Sequence, residues 1–212
     1  MDARIWPLSG LRLVTPGLEL RPTSEADLDE LAGVISLDVE MDPELPSFAT
    51  GDDGAIHRTR LALSYWRAMG RWRADDWALL LTVRSGGDAV GVQVLEGQGF
   101  AVRRTVETAS WLAPEQRGRG KGKEMRGAVL SLAFDILGAR VAETEALANN
   151  GASLGVSRAL GYEPNGENVF DHDGVPETMI HLRLTRQIWQ DRRLNWPVEM
   201  TGWEPALVLF GL

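Results

Sequence analysis

Hydrophobic residues occur in short runs and alternations that predict β-strands. The apolar run at 77–83 and a second run at 89–95 flank the turn sequence Ser85-Gly86-Gly87-Asp88, a pattern typical of a β-hairpin. Leu18-Glu19-Leu20 alternates as a strand does, and so does the segment 180–184. Further strands are expected over 106–112 and 141–147.

Apolar residues at helical spacing predict four helices between these strands. Ser24 with an acid three residues later has the spacing of a capping box, and a second helix is expected over 55–69 with Asp53 as its cap. The third helix has its apolar residues at positions 125, 128, 129, 132, 133, 136 and 137 and ends at Gly138. The fourth is expected over 152–160, with Gly161 after it.

Two segments lack a regular pattern. Residues 38–54 contain six acids, two prolines and little periodicity, which fits either a solvated loop or a wall that attracts a cationic substrate. The segment after Thr185 holds three tryptophans and an apolar end, too apolar for a free tail. We expect it to dock on the domain or on a partner subunit.

Composition excludes several classes of protein. Among 212 residues, 30 are acidic and 22 are basic, and the resulting net charge of −8 disfavours nucleic acid as a partner. The sequence has no apolar run long enough for a membrane span and starts without a secretory apolar core, so we expect a cytoplasmic protein. With no cysteine and three scattered histidines, we expect no metal site and no cysteine nucleophile.

The sequence Arg117-Gly118-Arg119-Gly120-Lys121-Gly122-Lys123 lies between a predicted strand and the long helix. Glycines allow close approach of a ligand to the backbone, and the amides at a helix N-terminus attract anions. The spacing fits neither the Walker nor the Rossmann phosphate loop. Two interpretations stay open from these residues alone, a small polyphosphate site and a glycine-rich turn with a solvated basic face.

These residues resemble those of the GNAT superfamily of acyl-CoA-dependent N-acyltransferases. Arg117-x-x-Gly120-x-Gly122 matches that family's pyrophosphate loop, and Asn150-x-x-Ser153 with Leu160-Gly161-Tyr162 is similar to its downstream segment. The resemblance covers roughly residues 11–185 and looks nearest to the RimJ/RimL-type branch, including an actinobacterial, mycobacterial succinyltransferase-like group. It implies a mixed α/β (α+β) fold, with a twisted mixed sheet of about six or seven strands and about four helices. The expected domains are 1–185 and a C-terminal tail, 186–212.

The resemblance also implies how the donor, acetyl-CoA or succinyl-CoA, is bound. The loop residues would hold the pyrophosphate through main-chain amides and basic side chains, the end of the preceding strand would pair with pantetheine, and a residue before the fourth helix would bind the pantetheine arm. The expected cofactor-binding residues are Trp111, Leu112, Arg117, Gly118, Arg119, Gly120, Lys121, Gly122, Asn150 and Ser153.

Direct attack of an amine on the thioester needs a base for the amine and an acid for the leaving thiolate. Many relatives have a tyrosine acid where this chain has Ser157, so Ser153 is the candidate acid, unless it only caps the helix. Glu107 and Glu177 are candidate bases, unless they are ordinary surface carboxylates. If the donor is succinyl-CoA, Arg103 and Arg104 are candidates for binding its free carboxylate.

Alternatives stay open both for the acceptor and for the class of function. The acceptor is expected to be a primary amine of a small molecule, or alternatively a protein N-terminus or lysine. From another class, the chain could be a non-catalytic module that binds acyl-CoA, and the missing tyrosine and the ambiguous base keep that alternative open. A homodimer is a further expectation. A nucleic-acid binder using the basic loop is the weakest candidate.

Overall fold

The computed structural model describes residues 2–42, 45–46, 52–172, 174–192 and 194–212. Over these residues one mixed sheet of nine strands forms the centre of the molecule. The strands are β1 (Arg12–Val14), β2 (Glu19–Pro22), β3 (Asp76–Ser85), β4 (Asp88–Gln98), β5 (Thr105–Leu112), β6 (Val141–Leu147), β7 (Glu163–His172), β8 (Val175–Thr185) and β9 (Glu199–Thr201). Their order is β7-β8-β6-β5-β4-β3-β2-β1-β9, and within the described chain β5 and β6 are parallel while the other neighbours are antiparallel.

Helices cover both faces of this sheet. They are α1 (Glu25–Val34), α2 (Asp53–Arg71), α3 (Phe100–Arg103), α4 (Lys121–Ser131), α5 (Gly151–Leu160) and α6 (Arg186–Asp191), and α4 continues into the π-helical turn Leu132–Ile136. Leu31 of α1 and Leu61 of α2 pack with Val92 on one face, whereas α4 and α5 bury the main core on the other. In the described ranges none of the helices has the length and apolar character that crossing a membrane requires.

The predicted mixed α/β fold is confirmed, although the described residues form nine strands where six or seven were expected. The most extended strand that the pattern did not indicate is β7, which contains Pro164 and Gly166 and few hydrophobic residues. It lies at the edge of the sheet and is held through β8, so it needs no apolar alternation of its own. The predicted cap of α2 was also wrong by one residue. The carboxylate of Asp52, not that of Asp53, accepts from the Ala55 amide at 2.7 Å.

The C-terminal residues pack against the sheet of the same chain. Strand β9 pairs with β1, and the 3-10 helix Glu204–Phe210 buries its last residue in the core. The Phe210 ring lies 4.8 Å from the Trp77 ring, and the Trp72 indole donates to the Leu209 carbonyl at 3.0 Å. The C-terminal segment thereby closes one end of the core against Trp72 and Trp77, which are distant in sequence.

Asp27 of α1 is a buried charge that ties this helix to two strands. Its carboxylate accepts from the Ser24 main chain at 2.9 Å and from the Ser24 hydroxyl at 2.6 Å, and it pairs with Arg21 and Arg84. Burial alone would raise the pKa of Asp27, but these bonds together lower it to about 2.

We expect Asp27 to contribute to acid stability. A carboxylate with a lowered folded-state pKa stabilises the fold above its unfolded pKa, 3.8, and this contribution disappears as the pH falls through about 2. The difference corresponds to about 2 kcal/mol. Urea unfolding at pH 5 and pH 2 measures it: Asp27→Asn should lose stability at pH 5 and show a smaller acid dependence than the wild type. The exposed Asp29→Asn is the control, and equal acid slopes for wild type and Asp27→Asn would contradict the assignment.

Candidate functional site

Strands β5 and β6 separate partway along their length. Their parallel pairing covers only three residues of each strand and ends at Glu107 and Glu143. The Thr144 hydroxyl then reaches across to the Thr108 carbonyl at 2.8 Å. Beyond this bond, residues 109–112 of β5 stay paired with β4, so the sheet opens between the carboxyl ends of β5 and β6.

Main-chain groups of β5 face this opening. The Ala113 amide donates to the Val90 carbonyl at 2.9 Å. Because hydrogen-bonding direction alternates along an antiparallel strand, Leu112 and Ser110 turn their amides away from β4 and toward the opening. The side chain of Trp111 packs on the α1/α2 face, and that of Leu112 is buried on the α4 face. An extended ligand that carries amide groups could therefore pair with this edge.

The glycine loop connects the end of β5 to the N-terminus of α4. Gly118 and Gly120 have φ angles of +70° and +81°, in the left-handed region that favours glycine. A Cβ at either position would meet no atom within 4 Å, so the space above the loop is open. Gly122 differs, since a Cβ there would lie 3.3 Å from Val156 of α5 and press the two helices apart. Open amides before an eleven-residue helix suit an anionic group.

The basic side chains of the loop are mostly engaged by the protein. Arg117 donates to the Leu112 carbonyl at 2.9 Å and pairs with Asp38, whose pKa it holds well below the usual range. Lys121 donates to the Ser85 hydroxyl at 2.9 Å, and the Lys123 ammonium lies 5.2 Å from the centre of the Trp196 ring. Among the described residues the Arg119 side chain makes no hydrogen bond, ion pair or ring contact, and Lys123 makes only the ring contact.

The start of α5 lies beside the opening and contains the predicted Asn150 and Ser153. The Asn150 side chain caps the helix by accepting from the Ser153 amide at 3.0 Å. The Ser153 carbonyl accepts from the hydroxyl of the fully buried Ser157 at 3.0 Å. The half-buried Ser153 hydroxyl makes no hydrogen bond within the described residues, so the cap uses its main chain only.

Arg126 of α4 is a site residue that sequence reasoning missed. It is 3% exposed, and it donates to the Ser157 hydroxyl at 2.8 Å and to the Ser110 hydroxyl at 3.3 Å. Burial lowers the pKa of its guanidinium. Since Ser110 belongs to the end of β5 that is not paired with β6, the guanidinium lies at the opening, on the α4 face of the sheet.

Carboxylates line the opposite face of the sheet. Glu96, Glu107 and Glu143 are direct neighbours across β4, β5 and β6, at the level where β5 and β6 separate. Glu96 was also missed by sequence reasoning. Its pKa is raised by desolvation and then by repulsion from Glu107, although the side chain keeps contact with solvent. A carboxyl whose pKa is raised toward neutral can accept a proton more readily.

The two predicted bases do not lie together. Glu143 is in register with Arg183 of β8, and Glu177 lies six residues before Arg183 on that strand. At about 3.4 Å per residue this places Glu177 about 20 Å from the level of Glu107. A single amine bound in the sheet opening can therefore approach only one of them.

Arg103 and Arg104 precede β5 at the end away from the opening. Arg103 contacts the Gln98 side chain, and Arg104 donates to the Leu137 carbonyl at 3.2 Å with its guanidinium over the Phe100 ring. Ala109 lies five positions after Arg104, which is about 17 Å of extended chain. This placement does not support contact with an acyl group in the opening.

Comparison with known proteins agrees with this architecture. Residues 17–163 match the model of the acetyltransferase (GNAT) domain. Mycobacterium smegmatis RimJ in complex with CoA-disulfide is 18% identical, with a TM-score of 0.69 over 86% of this chain and 89% of that chain. Spermidine/spermine N-acetyltransferase SpeG from Vibrio cholerae in complex with manganese ions is 16% identical, with a TM-score of 0.63 over 84% and 98%. At these identities the structural likeness shows the fold.

Removing the charge of Glu107 should lower the pKa of Glu96. The two carboxylates face each other across β4 and β5, so Glu107→Gln removes a repulsion that disfavours the ionised form of Glu96. Carboxyl-carbon NMR titration measures the shift. Glu204→Gln, at an exposed C-terminal position, should leave the Glu96 titration unchanged. An unchanged midpoint in Glu107→Gln would contradict the coupling.

Proposed function

The chain belongs to the GNAT acetyltransferases, and from that premise we propose that it transfers an acyl group from acyl-coenzyme A to a primary amine. The observation that carries the proposal is the opening between β5 and β6, with the glycine loop and the N-terminus of α4 at its mouth. It offers strand amides for a pantetheine arm and helix amides for a pyrophosphate.

The donor would bind along these groups. In our proposal the amides at Arg119, Gly120 and Gly122 hold the pyrophosphate. Pantetheine follows the open edge of β5 to Asn150, whose side-chain oxygen already caps α5. Acetyl-CoA is the donor we favour, and succinyl-CoA is the second candidate. The positions of Arg103 and Arg104 give succinyl-CoA no support.

The amine would approach from the carboxylate face. Glu96 or Glu107 removes a proton from the attacking nitrogen, and the raised pKa of Glu96 suits this role. Glu177 is the alternative base if the amine binds farther along β8. Ser153 is the candidate acid for the thiolate, because its hydroxyl makes no bond to the described residues.

A row of negative charge favours a cationic acceptor. Glu96, Glu107 and Glu143 form that row; Asp42 adds negative charge near Glu96, and Arg67 offsets part of it. We propose a small amine that carries additional positive charge, and the SpeG structure, whose enzyme acts on spermidine and spermine, is consistent with this choice. A protein N-terminus or lysine is the second candidate acceptor.

Two further proposals concern the role of the C-terminal segment and the oligomeric state. We propose that the family domain is 1–185 and that 186–212 is an addition that stabilises it through β9 and Phe210. The homodimer remains a prediction that solution scattering would test.

Gly120→Glu should weaken donor binding strongly, because it places a carboxylate at the N-terminus of α4 where the pyrophosphate would lie. Gly120→Gln is the matched control, since it has the same size and the same backbone strain at φ +81° without the charge. Calorimetric titration with acetyl-CoA and coenzyme A should show at least about tenfold weaker binding for Gly120→Glu than for Gly120→Gln. Equal affinities in the two variants, or no binding to the wild type, would refute the donor site.

Glu96→Gln should slow acyl transfer by about 10²-fold or more if Glu96 is the general base. The assay measures release of coenzyme A from acetyl-CoA with a panel of polyamines, simple amines and peptides over a range of pH. Because ionised Glu96 is the active form, the wild-type rate should fall as the pH drops through its raised pKa. Glu163→Gln, an exposed carboxylate on β7, is the control. Donor binding without transfer to any amine would favour the non-catalytic module.

A further inference from the structure

Arg126 is a buried cation whose partners in the described chain are neutral. Two of its nitrogens donate to the hydroxyls of Ser157 and Ser110, and Nε is buried without a hydrogen-bond partner among the described residues. No described carboxylate lies within ion-pair distance of the guanidinium. Desolvation lowers the pKa of Arg126, and the nearby Tyr162 hydroxyl acts in the opposite direction. A buried arginine without an anion is unfavourable, because the charge loses its hydration without gaining a counter-charge.

The position of the guanidinium indicates which anionic group Arg126 would stabilise. Ser110 lies on the part of β5 that has left β6, and Ser157 lies on α5 across the opening, so Arg126 spans the floor of the gap on the α4 face. The carboxylate row lies on the other face. A thioester held between the strands would have the amine on the acidic side and its sulfur available to the cation.

We propose that Arg126 is a catalytic residue that binds the coenzyme A sulfur and stabilises it as the leaving thiolate, an inference that rests on the proposed function. The amine nitrogen forms a bond to the thioester carbonyl carbon, the carbon–sulfur bond breaks, and its electron pair leaves on sulfur. The surplus proton of the amine passes to a carboxylate of the row. Arg126 keeps its protons, since a guanidinium is not deprotonated in proteins, and it acts through its charge and its N–H groups.

Ser157 is a positioning residue in this arrangement. Its hydroxyl donates to the Ser153 carbonyl at 3.0 Å and accepts from Arg126 at 2.8 Å, so its proton is already committed. Ser157 occupies the position at which many relatives have a tyrosine, and here it would orient the Arg126 guanidinium. Arg126 would stabilise the thiolate as it leaves, and Ser153, the candidate acid, would protonate it afterwards.

The absence of cysteine makes the test direct, because coenzyme A is then the only thiol in the sample. The ultraviolet absorbance of the thiolate is titrated for coenzyme A bound to wild type, Arg126→Met, Arg126→Lys and the exposed control Arg140→Met. The desulfo-coenzyme A complex supplies the blank, and burial raises the pKa of Tyr65 and of Tyr162, which keeps the tyrosines from overlapping.

In the wild type the pKa of the bound thiol should fall by about one to three units below that of free coenzyme A titrated in the same buffer. Arg140→Met should match the wild type, Arg126→Lys should retain part of the shift, and Arg126→Met should lose it while still binding desulfo-coenzyme A. An unshifted thiol in the wild type overturns the inference even if Arg126→Met fails to fold. An equal shift in Arg126→Met also overturns it. Failure of the wild type to bind either ligand overturns the proposed function instead.

Discussion

The parallel pairing of β5 with β6 ends at Glu107 and Glu143, and the candidate site depends on this interruption. A continuous sheet would satisfy the amides of Ser110 and Leu112 with a neighbouring strand. Here the bond from Thr144 to Thr108 closes the paired part, and the open edge beyond it keeps main-chain donors for a ligand. The glycine loop begins where β5 ends, so one departure from regular pairing places a strand edge and a helix N-terminus together.

The same opening separates charge across the sheet. Side chains alternate along β5, so Ser110 points toward Arg126 on the α4 face, while Glu107 belongs to the carboxylate row on the α1/α2 face. A reaction that moves a proton from an amine and leaves electrons on sulfur develops opposite charges on its two sides. The protein offers a matching negative face and positive face before any substrate arrives.

Sequence patterns located the elements that depend on local signals. The predicted strand at 141–147 has the observed bounds of β6, and the strand predicted at 106–112 begins one residue late. Strand β7 was missed, because an edge strand that is held by backbone bonds needs no hydrophobic alternation. The three-residue β9 is too short to carry a pattern.

The candidate site could be predicted only in part from the sequence. The glycine loop and Asn150 are recognisable because their residue types and spacing are local properties. Arg126 adjoins Met125 in an ordinary helical pattern, and only packing shows that its charge is buried. Glu96 and Glu107 become neighbours through strand register, which a sequence pattern does not fix.

We expect the β5–β6 opening and the glycine loop to bind acyl-coenzyme A together. Amide hydrogen exchange, recorded with and without acetyl-CoA, reports on both features in one experiment. Exchange should be slower at the Ser110 and Leu112 amides and across Gly118–Gly122, with β1 and β9 unchanged. Unchanged exchange in the loop and at the end of β5, at a donor concentration that saturates binding, would contradict this expectation.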